Sequence, residues 1–257
     1  MVILISGPAN SSRGHFGRGI IVNIPTEPYS QMSVWQRITG VLFNGSRDTF
    51  AVIGEQPRWV PPLIIISVVS FLCTLATLPK LKEYTAYTLE LQAQAAPEIA
   101  NAAATDMIVN AAVIAALVGS LVMPAILCLL YAGLLKLFNL FAGEPAQFRQ
   151  FFAVAIYSYF PILLGAVVAS IMVIISPASH LEEVSTSLYL LFPPGSKGFA
   201  ASLARQVDPF YLWSLVLMAL GSSVISRARF KSYAIYILGI WLLFALGSVL
   251  LSQGLSL

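Results

Sequence analysis

The sequence predicts an all-α integral membrane protein: five transmembrane helices, a cytoplasmic amphipathic segment ahead of them, and two helical connections on the extracytoplasmic side. Three observations predict it. Charged residues make up only 10% of the 257, where soluble domains carry about 25%. Those charges cluster between long uncharged runs, the mark of membrane helices. Five of the runs approach or exceed the roughly 20 helical residues that cross a hydrocarbon core about 30 Å thick.

Residues 1–31 are rich in Gly, Ser and Pro without apolar periodicity and read as a disordered extension that packs on none of the spans. The pattern changes at Met32. Val34, Ile38, Val41 and Leu42 line one helical face, with Trp35 beside them and Arg37 opposite; this suits a short amphipathic helix at headgroup level. Asp48 is placed to cap a second short helix over Thr49 to Ile53, which Gln56-Pro57 stops. Residues 32–58 are thus the cytoplasmic segment, and 59–257 the five-span membrane domain.

The first span covers 59–79. Strong helix formers follow it, with Leu81, Tyr84, Thr88 and Leu91 at helical spacing, so the helix continues past the span. The second span, 107–135, is about 43 Å long at 1.5 Å per residue; it tilts, or kinks at Pro124. The third covers 151–176. Leu181, Val184, Leu188 and Leu191 then predict a connector helix, broken by Pro193-Pro194-Gly195. The fourth, 209–226, gives only about 27 Å, with Asp208 as N-cap, Pro209 as first helical residue, and Tyr211 and Trp213 suited to the interfacial belt. The fifth covers 232–252. Ala115-x-x-x-Gly119 and Gly165-x-x-x-Ala169 are small-residue pairs that let helices approach.

Ten of the 14 Lys and Arg residues precede the first span or lie in the second-to-third and fourth-to-fifth connections. Basic residues stay cytoplasmic, which puts the N-terminus inside and the C-terminus outside, in the inner membrane if the source is bacterial.

No span carries Asp, Glu, Lys, Arg or His in its interior, the groups that mark ion-coupled transport. Neither paired His and Glu nor a Gly-x-Ser-x-Gly elbow is present. His15 and His180 lack ligand-like neighbours, and zinc spacing is absent. Cys73 and Cys128 lie at membrane depths about 10 Å apart, too far for a disulfide, which needs Cα atoms within ~7 Å. The sequence therefore offers no catalytic, cofactor-binding or metal-ligating residue, and no enzyme is expected. A net charge of +3 without a basic stripe does not suit nucleic acid.

Several motifs are together similar to one family. Val34-Trp35-Gln36-Arg37-Ile38 leads to Gln56-Pro57-Arg58-Trp59-Val60-Pro61-Pro62. Gln147-Phe148-Arg149-Gln150-Phe151-Phe152 precedes Tyr157 and Pro161. Asp208-Pro209-Phe210-Tyr211-Leu212-Trp213 opens the fourth span, with Gly221 inside it. Over about residues 32–252 they resemble bacterial members of the YIP family (Ypt/Rab-interacting-protein domain). The resemblance implies a five-helix membrane fold with a cytoplasmic N-terminus. It marks Trp35, Pro57, Trp59, Pro61, Phe151, Pro161, Asp208, Phe210, Trp213 and Gly221 as motif positions with a structural or partner-binding role. Eukaryotic members bind Rab GTPases, but through motifs that this sequence lacks, so Rab GTPase binding is not carried over. The expectation is a non-enzymatic membrane organiser or adaptor that works through helix packing, with membrane lipids, membrane proteins or a second copy as partners. The alternative is a transporter or permease component for an uncharged or lipid-like substrate. That alternative needs Asn110, Ser120, Asn139, Ser158 and Ser170 to converge on one polar cavity.

Overall fold

Helix starts fall where side chains can take up unspent backbone donors. Ser33 and Gln36 form a capping box at the start of α1 (Val34–Thr39): the Gln36 N–H donates to the Ser33 hydroxyl (3.3 Å), and the Ser33 N–H to the Gln36 side chain (2.8 Å). A π turn, Gly40–Asn44, prolongs α1 and ends at Gly45, whose φ of 47° is the left-handed conformation glycine accepts most readily. The computed structural model describes residues 32–45, 47–95, 102–142, 145–193 and 195–254. The expected disordered extension, 1–31, lies outside the described residues.

α2 (Arg47–Glu55) begins one residue before Asp48, so Asp48 lies inside the first turn and does not precede the helix as its cap. Its charge still suits the positive end of the helix dipole. α3 (Val60–Ala95) and α4 (Ala102–Asn139) form a long hairpin of 36 and 38 residues, about 54 and 57 Å at 1.5 Å per residue. Each overshoots a ~30 Å hydrocarbon core, which is the continuation past the first span that the sequence predicts. Both helices run through an internal proline, Pro79 and Pro124. Pro124 denies a partner to the Ser120 carbonyl. One residue on, the Leu121 carbonyl accepts from the Ser67 hydroxyl of α3 at 3.1 Å, a helix-to-helix bond at the weakened turn.

The third span is two helices, α5 (Phe148–Ser158) and α6 (Phe160–Ile175), broken at Tyr159. Pro161 causes the break, since it cannot donate to the Tyr157 carbonyl. The connection that follows corrects one expectation. Residues 181–191 form no α-helix but two 3₁₀ turns, Ala178–Glu183 and Leu188–Leu191. Serine hydroxyls compete for the backbone there: the Ser187 N–H donates to Ser185 Oγ (3.1 Å) and the Tyr189 N–H to Ser187 Oγ (3.3 Å). The α-helix of this connection comes later, as α7 (Phe199–Gln206). It meets α8 (Pro209–Ile225) at 52°. α9 (Phe230–Gly254) completes the chain.

Four segments are long and apolar enough to cross a membrane: Val60–Gln92, Met107–Asn139, Phe148–Ile175 and Phe230–Leu251. The bent pair α7 and α8 makes a fifth. No strand occurs among the described residues. α1 and α2 lie at one end of the bundle, here called proximal, with the turns after α4 and α8. The 3₁₀ turns and α7 lie at the other, distal end.

α5, α6 and α8 are the centre. α8 packs on α2, α5, α6 and α9, and α3 packs on α4 and α6. One core gathers Phe50, Ile53, Ile66, Cys128, Val154 and Leu217; a second gathers Leu135, Phe151, Leu215, Met218, Tyr233 and Ile237. The outward faces are apolar as well: Ile64, Val68, Leu129, Leu130, Leu243 and Leu250 are all exposed, which suits lipid and would not suit water. Gly165 meets Phe210 across helices, whereas Gly119 meets only Met123 of its own helix, so the Gly165-x-x-x-Ala169 pair serves packing here and the Ala115-x-x-x-Gly119 pair does not involve a neighbour. Cys73 and Cys128 are both free.

Candidate functional site

The proximal end is built around Arg37. Its side chain is fully buried. The guanidinium donates to the carbonyl oxygens of Met32 (3.2 Å) and Gln56 (2.7 Å) and to Gln56 Oε1 (3.4 Å). Its charge also lies beside Tyr157, whose hydroxyl donates to the Arg58 carbonyl at 3.2 Å. No carboxylate pairs with it among the described residues. A buried cation needs such acceptors, because desolvation is costly unless charge-assisted hydrogen bonds replace water.

This corrects the placement of Arg37 opposite the apolar face. The apolar face itself is as expected, with Ile38 and Val41 buried and Val34 and Leu42 half-buried. The signal for Arg37 was in the spacing: Val34, Arg37, Ile38 and Val41 follow i, i+3, i+4, i+7, a single helical stripe. The face covers protein and not lipid alone, so a long side chain at its edge is enclosed by the Gln56-Pro57-Arg58 turn. Trp35 points away and is 65% exposed, as is Phe43 at 77%.

α2 is pressed onto the bundle through glycines. A Cβ on Gly221 would stand 2.6 Å from the Phe50 ring and 2.7 Å from Val154; one on Gly54 would stand 2.8 Å from Ile225. The Gln150 side chain donates to the Gly54 carbonyl at 2.9 Å, and Trp59 packs on Phe152 with ring centroids 5.3 Å apart. Of the motif positions, Trp59 and Gly221 thus meet at the proximal cap and Pro57 shapes its turn, while Phe151 is buried in the second core. Trp35 and Pro61 are exposed and do not join them.

The remaining motif positions lie elsewhere. Pro161 is buried just past the α5–α6 break. Asp208 caps α8 as expected, accepting from the N–H groups of Phe210 (2.8 Å) and Tyr211 (3.1 Å). It also accepts from the Thr186 hydroxyl, a partner the sequence did not signal. Phe210 fills the space beside Gly165, and Trp213 packs on the first core. The motif therefore marks two groups of helix contacts, one proximal and one distal.

Two cavities share lining residues and run from the distal end into the bundle. A mouth of about 440 Å³ is lined by Thr186, Arg205, Gln206 and Asp208 together with α6 and α9 residues. A groove of about 340 Å³ runs between α4, α8 and α9. The polar residues that a permeation path would need line neither. Ser120 and Ser170 donate to their own helices, at Leu117 and Ala166. Asn139 holds the turn after α4 through Ala142 and Ala146. Ser158 is buried and Asn110 exposed. Among the described residues, no three His, Cys, Asp or Glu side chains are grouped to hold a metal.

Apolar spans, a proximal cap packed onto them, and motif residues spent on helix contacts define a multi-pass helical membrane protein. The Yip1 domain family model matches residues 39–251, most of the chain, and the protein belongs to that family. No curated protein and no solved structure matches it.

Proposed function

We propose that this Yip1-family protein is a non-enzymatic membrane organiser or adaptor that works through helix packing and through lipid and membrane-protein partners. The observation that carries this reading is the proximal cap. Arg37 and Gly221 fix α1 and α2 to the bundle while Trp35 and Phe43 stay exposed. Large aromatics held rigidly at a membrane surface are anchors for headgroups or for a partner's helix. The same reading places the cap in the cytoplasm and the C-terminus outside. Arg47, Arg58, Lys136, Arg149, Arg227, Arg229 and Lys231 are proximal, and Lys80, Lys82, Lys197 and Arg205 distal.

Photo-crosslinking from a reactive phenylalanine analogue at Trp35 or Phe43, in native membranes, tests it. A discrete crosslink to lipid, to one membrane protein or to a second copy is expected. Proteoliposomes should pass a small uncharged solute and flip a labelled phospholipid at the rate of empty vesicles. Strong acceleration of either flux, with no discrete crosslink, would replace this reading by the transporter for an uncharged or lipid-like substrate.

A further inference from the structure

Arg205 and Asp208 line one cavity and are three residues apart, yet they do not pair. The ion pairs among the described residues are Lys80–Glu83 and His180–Glu183. Each charge is held by other groups. The Arg205 guanidinium lies over the Tyr189 ring, 3.6 Å from its centroid, an attraction that fixes its plane and leaves its N–H donors available. The Asp208 carboxylate is anchored by the Phe210 and Tyr211 N–H groups and by Thr186. A cavity with one cation and one anion, separately fixed, is complementary to a ligand that carries both charges.

The mouth leads into the groove through Tyr211, Trp241 and Phe244, which line both. The groove is otherwise apolar, and the Tyr131 and Tyr211 hydroxyls satisfy each other at 3.0 Å. It opens sideways to lipid, since Leu130 is 58% and Phe244 71% exposed. From Leu127 to Leu135 it follows α4 for about 12 Å at 1.5 Å per residue, running from the mouth toward the proximal end and stopping about 6 Å short of Asn139. Asp208 stands at the distal end of α8, whose 17 residues place it about 25 Å from the proximal end. That is near the distal edge of a ~30 Å core.

We propose that mouth and groove together hold one phosphatidylethanolamine molecule with its headgroup at the distal end and its tail pointing toward the proximal end. Its phosphate meets Arg205, its ammonium meets Asp208, and one acyl chain lies along the groove against α4, α8 and α9. This site requires the membrane fold but not the organiser role.

The test is lipid retention on the purified full chain in mild detergent, read by native mass spectrometry. Phosphatidylethanolamine, phosphatidylglycerol and diacylglycerol with identical chains are compared. The wild type should retain phosphatidylethanolamine best, at one per chain. Arg205→Ala should lower that retention by about tenfold or more, the effect of losing charge-assisted hydrogen bonds. Asp208→Asn keeps an N-cap but leaves the mouth cationic, so preference should move to phosphatidylglycerol. Leu134→Trp, which narrows the groove, should weaken all three alike. Equal retention of the three lipids by the wild type, or unchanged headgroup preference in Arg205→Ala and Asp208→Asn, would overturn the proposal. The wild-type comparison decides even if a variant fails to fold. Neither result bears on crosslinks from Trp35 and Phe43.

Discussion

Two residues show how close contacts set the cap. Arg37 is buried among neutral acceptors, so its removal leaves the partly buried Gln56 carbonyl without its partner. Arg37→Met should lower stability by roughly 2–4 kcal/mol, the cost of leaving buried acceptors unmet, read as a fall in the unfolding midpoint in detergent. Arg37→Lys should restore little, because an ammonium cannot reproduce the planar fork of donors. An unchanged midpoint in both variants would show that these hydrogen bonds contribute nothing net. Gly221 makes the reciprocal case. Gly221→Ala puts a methyl group within 2.6–2.7 Å of Phe50 and Val154 and should cost about 1–3 kcal/mol by overpacking. Phe50→Leu in the same chain should recover part of the loss, a non-additivity of the kind that contact pairs show. Strict additivity would mean that the two side chains do not press on each other.

Elements differ in how firmly their own sequence defines them. α8 carries its start signal in Asp208 and Pro209, and the carboxylate does meet the first N–H groups. Asp208→Ala should cost about 1 kcal/mol from the lost cap, and more if the Thr186 tether is counted, whereas Asp208→Asn should stay near wild type in the same unfolding assay. If Asp208→Ala melts with the wild type, the cap is dispensable. The cap segment offers a coarser test. Deleting residues 33–53 removes Arg37, Ile38, Val41, Phe50 and Ile53 from the core and should impair expression and stability. Deleting residues 1–31, whose composition gives them no apolar face, should leave both unchanged. Equal damage from the two deletions would move the boundary of the folded chain upstream.

The arrangement of the whole chain fixes which segments share a side of the membrane. With α3 and α4 as a hairpin and α7 joined to α8, positions near Gln92 and Lys197 lie at the distal end and Ala228 at the proximal end. Single cysteines introduced there, in a background without Cys73 and Cys128, should label from outside at the first two and only after permeabilisation at the third. Labelling of Gln92 and Ala228 from the same side would sink the topology.

The membrane class, the long apolar helices, the amphipathic face of α1 and the cap of α8 were legible in the sequence. Apolar runs, helical spacing and N-cap chemistry are local properties, and lipid enforces them by leaving no other way to satisfy the backbone. Three features were decided only by tertiary structure. Arg37 is buried because the turn after α2 closes over it, and that turn is 19 residues away in sequence. The chain between α6 and α7 became 3₁₀ turns because Ser185 and Ser187 took backbone donors and the Val207 carbonyl accepted from the Leu188 N–H at 2.9 Å. The distal mouth exists because α7 bends 52° away from α8, which places Arg205 by Asp208, and because the 3₁₀ connection returns to the α7–α8 junction and sets Thr186 against Asp208. Periodicity reports which face of a segment is apolar. It does not report which other segment will cover that face, and these features depend on that pairing.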